Sequence, residues 1–292
     1  MTPKKKARGE CSKHQSSSEG QSSKVNRKLL SPRNKYDFYL FASNNMIYVA
    51  PKKKGRDECS KDQSSSEGQG SKVNRKLLFP RNKQFIKSPL RRQKKFVVCW
   101  AKATATVIEA RWNQKNNLST DKCLSLSSQV LINNFGELRI PKMKVLEEFL
   151  KTDGVCLEEN CNYLGPVVTI TEKVHITSPI SDVEVEKLVK QGPVLAFLRI
   201  SNGLLNLKKG QIFDGPKPHE LKDQAEYHAI VITGIAIDSE GNEYWEFRNS
   251  WGEQWCDEGY GRVRKGSGIS KFVEIWYPED VNLINPFERV EG

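Results

Sequence analysis

The chain has 292 residues, enough for one large domain or for a domain with an appendage. Its 37% hydrophobic residues include 6 Trp, 12 Phe and 8 Tyr, a content that can form a sizeable core and excludes a wholly disordered chain. The formal charge is +12, but residues 1–90 carry 21 Lys and Arg against 7 Asp and Glu, which leaves 26 against 28 for residues 91–292. The excess positive charge therefore belongs to the first third alone.

A tandem repeat explains that charge. Residues 3–35 and 51–83 differ at only five positions and are rich in Lys, Ser, Gln and Gly, so we expect both copies to be disordered. Each copy has a basic cluster, at 4–8 and 52–56, that is typical of nuclear import or of contact with a polyanion such as nucleic acid. A solvated tail with no dedicated partner is an equal alternative. The interval 36–50 is aromatic and apolar but too short to cross a bilayer, and its role stays open.

The start of the chain and its cysteines bear on the compartment. The first ten residues lack the apolar stretch of a secretory signal peptide, which favours cytoplasm or nucleus. The seven cysteines form no even framework. No His or Cys pair at zinc spacing follows Cys156 and Cys161, so a structural zinc is not expected. The disulfide state of Cys156, Cys161 and Cys256 stays open.

From about Gln93 the composition becomes globular, and three helices come first. Apolar residues at helical spacing predict two of them, and Ser181 with Glu184 three residues later predicts the capped start of the third. These helices are Trp100–Trp112 with Cys99 at its start, Met143–Leu150 and Ser181–Lys190.

Strands dominate the rest of the chain. Five β-rich segments are separated by Gly, Asn and Asp turns, and they are Pro193–Ile200, His228–Ile237, Tyr244–Arg248, Tyr260–Arg264 and Phe272–Trp276. Because helices precede strands, the order predicts an α+β fold with segregated halves rather than alternating βαβ units. A site between two such halves would take residues from both.

Four residues supply the parts of a nucleophilic thiol site. Cys99 opens a helix, where free amides and the helix dipole favour a thiolate. His228 at a strand start is the candidate base, and Asn249 at the end of the next strand can orient its imidazole. Gln93, six residues before Cys99, is a candidate donor to the oxyanion.

These residues resemble the motifs of the papain-like cysteine proteases over about Gln93 to Tyr277. The nucleophile motif of that family matches Cys99-Trp100-Ala101, its base motif matches His228-Ala229-Ile230, and its Asn-Ser-Trp-Gly motif matches residues 249–252. The intervals from Cys99 to His228 and to Asn249 are close to the roughly 130 to 150 residues of such enzymes.

The resemblance implies a two-lobed fold, with the Cys99 helix in a helical left half and a β-barrel-like right half. Composition predicts a disordered arm over 1–92, and the resemblance implies a peptidase domain over 93–278, which leaves a tail over 279–292. A thiolate–imidazolium pair of Cys99 and His228 would cleave polypeptides through an acyl-enzyme in a monomeric protein without metal or cofactor. Protein inhibitors are expected partners and a membrane is not, whereas relatives are commonly lysosomal, vacuolar or extracellular.

The match also fails at several positions around the expected substrate cleft. Val97 replaces a glycine that lines the cleft, so its methyl groups could crowd the substrate, and the expected double glycine is reduced to Gly136-Glu137. The resemblance makes five residues candidates for substrate contact: Val97, Val98, Gly136, Tyr227 and Trp251. These departures motivate an alternative, a catalytically impaired homologue that binds peptides or proteins. A third hypothesis makes the basic arm the working part, binding nucleic acid or acidic partners.

Overall fold

The structure is a computed structural model that describes residues 76–77, 82–90, 98–137, 141–161, 165–221, 226–266 and 271–285. All of them belong to a single compact unit. Several predicted features lie outside the described residues: the first repeat, nearly all of the second, both basic clusters, Gln93 and Val97. The expectations for those features stay predictions.

Within the described residues the chain forms five α-helices and ten β-strands. The helices are α1 (Cys99–Lys115), α2 (Gln129–Phe135), α3 (Met143–Thr152), α4 (Asp182–Val189) and α5 (Asn202–Leu205). The strands are β1 (Lys76–Leu77), β2 (Val155–Cys156), β3 (Val167–Ile170), β4 (Lys173–Thr177), β5 (Val194–Arg199), β6 (Tyr227–Ile237), β7 (Glu243–Arg248), β8 (Tyr260–Arg264), β9 (Phe272–Pro278) and β10 (Val281–Ile284). Short 3-10 helices span Asn82–Phe85 and Pro218–Leu221.

The three predicted helices are present as α1, α3 and α4. Helix α1 begins at Cys99, as expected. At the start of α4 the Ser181 side chain accepts from the Glu184 backbone N–H at 3.2 Å, and the Glu184 carboxylate accepts from the Ser181 N–H at 2.9 Å. This reciprocal pair is the capping box that the sequence predicts, and it satisfies two backbone donors at the helix start.

The five predicted strands, β5 to β9, form the main sheet. Its order is β4-β9-β5-β6-β7-β8, with β1 also pairing with β6, and all of the pairings are antiparallel. Strands β10, β3 and β2 form a smaller antiparallel sheet. Helices before a predominantly antiparallel sheet confirm the predicted α+β class.

The main sheet separates two hydrophobic clusters because successive side chains of a strand point to opposite faces. On β5, Leu195 and Phe197 pack into the cluster that contains α1, whereas Val194, Ala196 and Leu198 pack into the cluster on the other face with α4. Strand β6 divides in the same way. One face of β6 therefore rests on the helix that begins at Cys99, and this packing sets the distance between the two halves of the candidate site.

Two segments outside the predicted core of 93–278 also pack on this unit. Residues 82–90 lie against it: the Lys83 ammonium sits 3.5 Å from the Tyr260 ring centroid, and the Asn113 amide donates to the Phe85 carbonyl at 2.8 Å. At the other end, Val281–Ile284 pairs with Val167–Ile170. Both segments therefore pack on the described unit, and the domain limits at 93 and 278 stay a prediction.

Cys156 and Cys161 form a disulfide, so these two thiols are not available to a metal. In the described part of the chain Cys99, Cys123 and Cys256 are free. None of the described helices combines the length and the apolarity that crossing a bilayer requires.

Candidate active site

Cys99 is the first residue of α1 and is almost completely buried, at 1% exposure. No side chain caps the helix start, where Val98 is the N-cap residue. The backbone N–H groups of Cys99, Trp100 and Ala229 interact with the sulfur and lower the pKa of the thiol. Amides from the helix start and from strand β6 thus converge on one sulfur, an arrangement that can also stabilise negative charge on a nearby oxygen.

Burial outweighs those amides in the resting site. Removal from water raises the pKa of the Cys99 thiol from 9.0 to about 12, because the charged thiolate is disfavoured in an apolar environment. Burial therefore opposes ionisation of the Cys99 thiol. The thiolate–imidazolium pair that the resemblance implies stays a prediction.

The imidazole of His228 is held from two sides. Its Nε2 lies 2.6 Å from Oδ1 of Asn249, and its ring stacks on Trp251 with centroids 4.5 Å apart. Oδ1 of Asn249 also accepts from the Ser250 backbone N–H at 2.7 Å, so it acts as an acceptor and Nε2 carries the hydrogen. This leaves Nδ1 of the neutral ring as the nitrogen that can accept a proton.

His228 is as enclosed as Cys99, with 2% of its surface exposed. Burial lowers the pKa of His228 from 6.5 to about 4, although the hydrogen bond to Asn249 acts in the opposite direction. Asn249 is itself fixed, because its backbone N–H donates to the Gly259 carbonyl at 2.9 Å. Burial thus disfavours the charged forms of both Cys99 and His228, while the hydrogen bond to Asn249 favours the protonated imidazole.

A cavity of about 310 Å³ is lined in part by Asn249 and by Val98 and Ala229, the chain neighbours of Cys99 and His228. Cys99 and His228 themselves are not among its lining residues. Charges of both signs line it as well: Lys102, Arg248, Glu137 and Glu158. The cavity is large enough to admit part of a peptide and adjoins the sulfur-bearing helix.

The structure places four of the five predicted substrate contacts. Val98 is buried and is the N-cap residue of α1. The Trp251 ring stacks on His228, and Tyr227 is the half-buried first residue of β6. Gly136 follows α2 with φ of +82°, a backbone conformation that favours glycine. Val97 lies outside the described residues, as does Gln93. Their roles stay predictions.

Sequence reasoning missed a buried carboxylate of α1, Glu109. It is 0% exposed on α1 and its carboxylate accepts three backbone N–H groups, those of Lys87, Ser88 and Leu126, at 2.6 to 2.8 Å. A signal for it exists in the sequence. Glu109 stands eight residues after Ala101 and four after Ala105, on the apolar face of the helix, where a carboxylate must have partners.

Comparison with known proteins agrees with this fold. The model of the family described as "Papain family cysteine protease" matches residues 141–275, a range that includes His228 and Asn249 and begins after Cys99. The viral cathepsin of Cydia pomonella granulosis virus is 31% identical over 192 residues, which are 61% of this chain and 54% of that protein. Cysteine proteinase 2 of Zea mays is 27% identical over 204 residues, 63% of this chain and 54% of that protein.

A solved structure shows the same architecture. The bromelain protease of Ananas comosus, determined in complex with the E64 inhibitor, superposes with a TM-score of 0.55 at 21% sequence identity. The superposition covers 68% of this chain and 97% of that one. The described part of the chain therefore has the papain-like fold, and the resemblance to the papain family of cysteine proteases is confirmed. The chain spans about half the length of the viral and maize relatives.

Proposed function

We propose that this protein is a cysteine-type endopeptidase that hydrolyses peptide bonds of polypeptide substrates. The observation that carries the proposal is the 2.6 Å hydrogen bond between His228 and Asn249, together with the amide of Ala229, the next residue after His228, on the buried sulfur of Cys99. The names of the relatives support it, because both the viral and the maize protein are described as cathepsin or cysteine proteinase.

The proposed reaction begins with transfer of the thiol proton of Cys99 to Nδ1 of His228 while the sulfur attacks the scissile carbonyl carbon. The amide of Cys99 and the side chain of Gln93 donate to the resulting oxyanion. The C–N bond then breaks as His228 gives its proton to the leaving amine, and an acyl-enzyme remains. His228 next takes a proton from water, and the hydroxide releases the acyl group and restores the thiol.

Asn249 and Trp251 support the proposed proton transfers. When His228 gains a proton, its Nε2–H bond to Asn249 becomes charge-assisted and strengthens, which stabilises the imidazolium. Trp251 packs on the ring at 4.5 Å and shields that bond from water. Asn249 therefore raises the proton affinity of His228 at the moment when the thiol gives its proton up, and Trp251 keeps water from competing for the hydrogen bond.

Hydrolysis of a fluorogenic peptide library by the purified chain tests the proposal. We expect turnover that Cys99→Ala abolishes, because Cys99 supplies the nucleophile of the proposed reaction. Cys123→Ser and Cys256→Ser are matched controls, since both remove a free thiol that lies outside the candidate site. Turnover that survives Cys99→Ala, or that depends on one of the two controls, would contradict the proposal.

A second candidate is a catalytically impaired homologue that binds peptides, and the enclosure of the thiol favours it. Cys99 is only 1% exposed and burial raises the pKa of its thiol to about 12, so the thiol is a weak nucleophile until the site rearranges. This candidate predicts saturable peptide binding without hydrolysis, and a large gain of hydrolysis in Val97→Gly. Hydrolysis by the unmodified chain at an ordinary rate would exclude it.

A further inference from the structure

The segment before the catalytic helix, residues 82–90, is held by side chains from both halves of the fold. Asn113 of α1 donates to the Phe85 carbonyl at 2.8 Å, and Lys83 approaches Glu246 of β7 at 3.4 Å. The segment ends three residues before Gln93. Its attachment therefore decides where the chain enters the stretch that leads to the candidate nucleophile.

Glu109 makes the attachment on the side of α1. Its Oε1 accepts from the N–H groups of Lys87 at 2.6 Å and Ser88 at 2.8 Å, and its Oε2 accepts from Leu126 at 2.8 Å. Three donors satisfy most of what a fully buried carboxylate needs. Because Glu109 and Cys99 share one rigid helix, the main chain at residues 87 and 88 is fixed relative to the sulfur.

Arg248 makes the attachment on the side of β7. Its Nη2 donates to the Ser88 carbonyl at 2.5 Å, and the residue is buried with 7% of its surface exposed. Arg248 is the last residue of β7 and directly precedes Asn249, the partner of His228. The N–H of Ser88 thus binds the helix of the nucleophile, and its C=O binds the strand of the residue that orients the base.

We propose that Glu109 and Arg248 are positioning residues that together clamp the main chain of Ser88. The clamp fixes three parts of the chain relative to one another: the helix that begins at Cys99, the strand that precedes Asn249, and the point from which the chain continues towards Gln93. The effect of the clamp on hydrolysis rests on the proposed function, whereas the geometry of the clamp is independent of it. A buried carboxylate and a buried guanidinium are costly to desolvate, and a core built only for stability would place apolar residues there. Their convergence on one residue between two candidate catalytic elements is the reason to assign them a positioning role.

The variants Glu109→Gln and Arg248→Gln test the clamp in hydrolysis. Gln puts an NH₂ group where one carboxylate oxygen accepted, so either Leu126 or the Lys87–Ser88 pair loses its acceptor. We expect kcat to fall about tenfold or more in each variant while KM changes less than about threefold, because alignment acts mainly in the transition state. The double variant should have about the same kcat as the slower of the two single variants, because each substitution already removes the same clamp. Arg248→Lys keeps one donor and should recover most of kcat.

Asp182→Asn is the matched control. Asp182 is also buried, at 3% exposure, and its carboxylate accepts from the Trp245 indole on the far side of the sheet. We expect this variant to lower the melting temperature to a similar extent and to leave kcat unchanged. Equal loss of kcat in Asp182→Asn and Glu109→Gln would show that Glu109 is merely structural and would overturn the proposal.

Amide hydrogen exchange separates the clamp from the proposed function. The clamp predicts exchange at Lys87 and Ser88 that is about tenfold or more faster in Glu109→Ala, which removes both acceptor oxygens, than in the unmodified chain, with no such change in Asp182→Ala. If the unmodified chain hydrolyses no peptide, the proposed function fails while this measurement still decides the clamp. Unchanged exchange at both residues in Glu109→Ala would overturn it.

Discussion

His228 and Glu109 are both buried, and their pKa values are displaced in opposite directions. Burial lowers the pKa of His228 from 6.5 to about 4 and raises the pKa of Glu109 from 4.5 to about 7. In both cases the fold favours the neutral form, and the three amides on Glu109 and the nearby Arg248 only reduce the effect of burial. The two residues therefore give opposite pH dependences to the stability of one domain.

The sign of each contribution follows from the proton affinity of the folded chain. For His228 the unfolded chain binds the proton more tightly, so its stability contribution is present above pH 6.5 and is lost as the pH falls towards 4. For Glu109 the folded chain binds the proton more tightly, so its contribution is present below pH 4.5 and is lost as the pH rises towards 7. Between pH 4.5 and 6.5 the two largely cancel.

Because the two contributions cancel, replacing one of the two residues should reveal how the other makes the free energy of unfolding depend on pH. Urea unfolding of Glu109→Gln should show the free energy of unfolding rising by about 2 to 3 kcal/mol from pH 4.5 to 6.5, relative to the unmodified chain. His228→Gln should show a relative fall of about the same size over that interval. Parallel pH profiles for the two variants would contradict the assigned pKa shifts.

At the scale of elements, the sequence predicted those helices and strands that have a clear hydrophobic period or a capping motif. Helix α1 has apolar residues at helical spacing, α4 has a capping box, and β6 has a long β-rich run. Helix α2 and strands β3 and β10 were missed because they are short. Strand β3, with all four residues buried, shows no polar alternation that would mark it as a strand.

The candidate site divides in the same way. The chain motifs indicated Cys99, His228 and Asn249, because each stands at the end of a predicted element. The sequence does not predict the enclosure of the thiol or the clamp on Ser88. Both depend on contacts between residues far apart in the chain, such as Ser88 with Arg248. Periodicity indicates which face of an element is buried, but it does not indicate which distant donors that face meets.

Truncation tests whether the segment 82–90 belongs to the domain. A chain that begins at Lys76 should unfold within about 0.5 kcal/mol of the full chain, because the repeats are expected to add no core. A chain that begins at residue 91 should lose at least about 3 kcal/mol, since Glu109 loses two of its donors and Arg248 loses the Ser88 carbonyl. Urea titration of both measures this, and equal stability of the two would contradict the assignment.

At the scale of the whole molecule, charge and fold are separate properties. The formal charge of +12 comes from the duplicated first third, whereas residues 91–292 carry 26 Lys and Arg against 28 Asp and Glu. The papain-like fold belongs to the nearly neutral part, and the candidate site lies where α1 meets β6 and β7. We expect any contact of the basic clusters with polyanions to weaken with salt, and hydrolysis not to share that salt dependence.

The central claim is that Cys99 is a nucleophile activated by His228, and labelling with a peptidyl epoxide tests it most directly. We expect one adduct on the purified chain, at Cys99 by peptide mass mapping, formed at least about tenfold more slowly in His228→Ala. Cys123 and Cys256 serve as internal controls in the same molecule. An adduct at either of them instead, or labelling of Cys99 at the same rate in His228→Ala, would contradict the account.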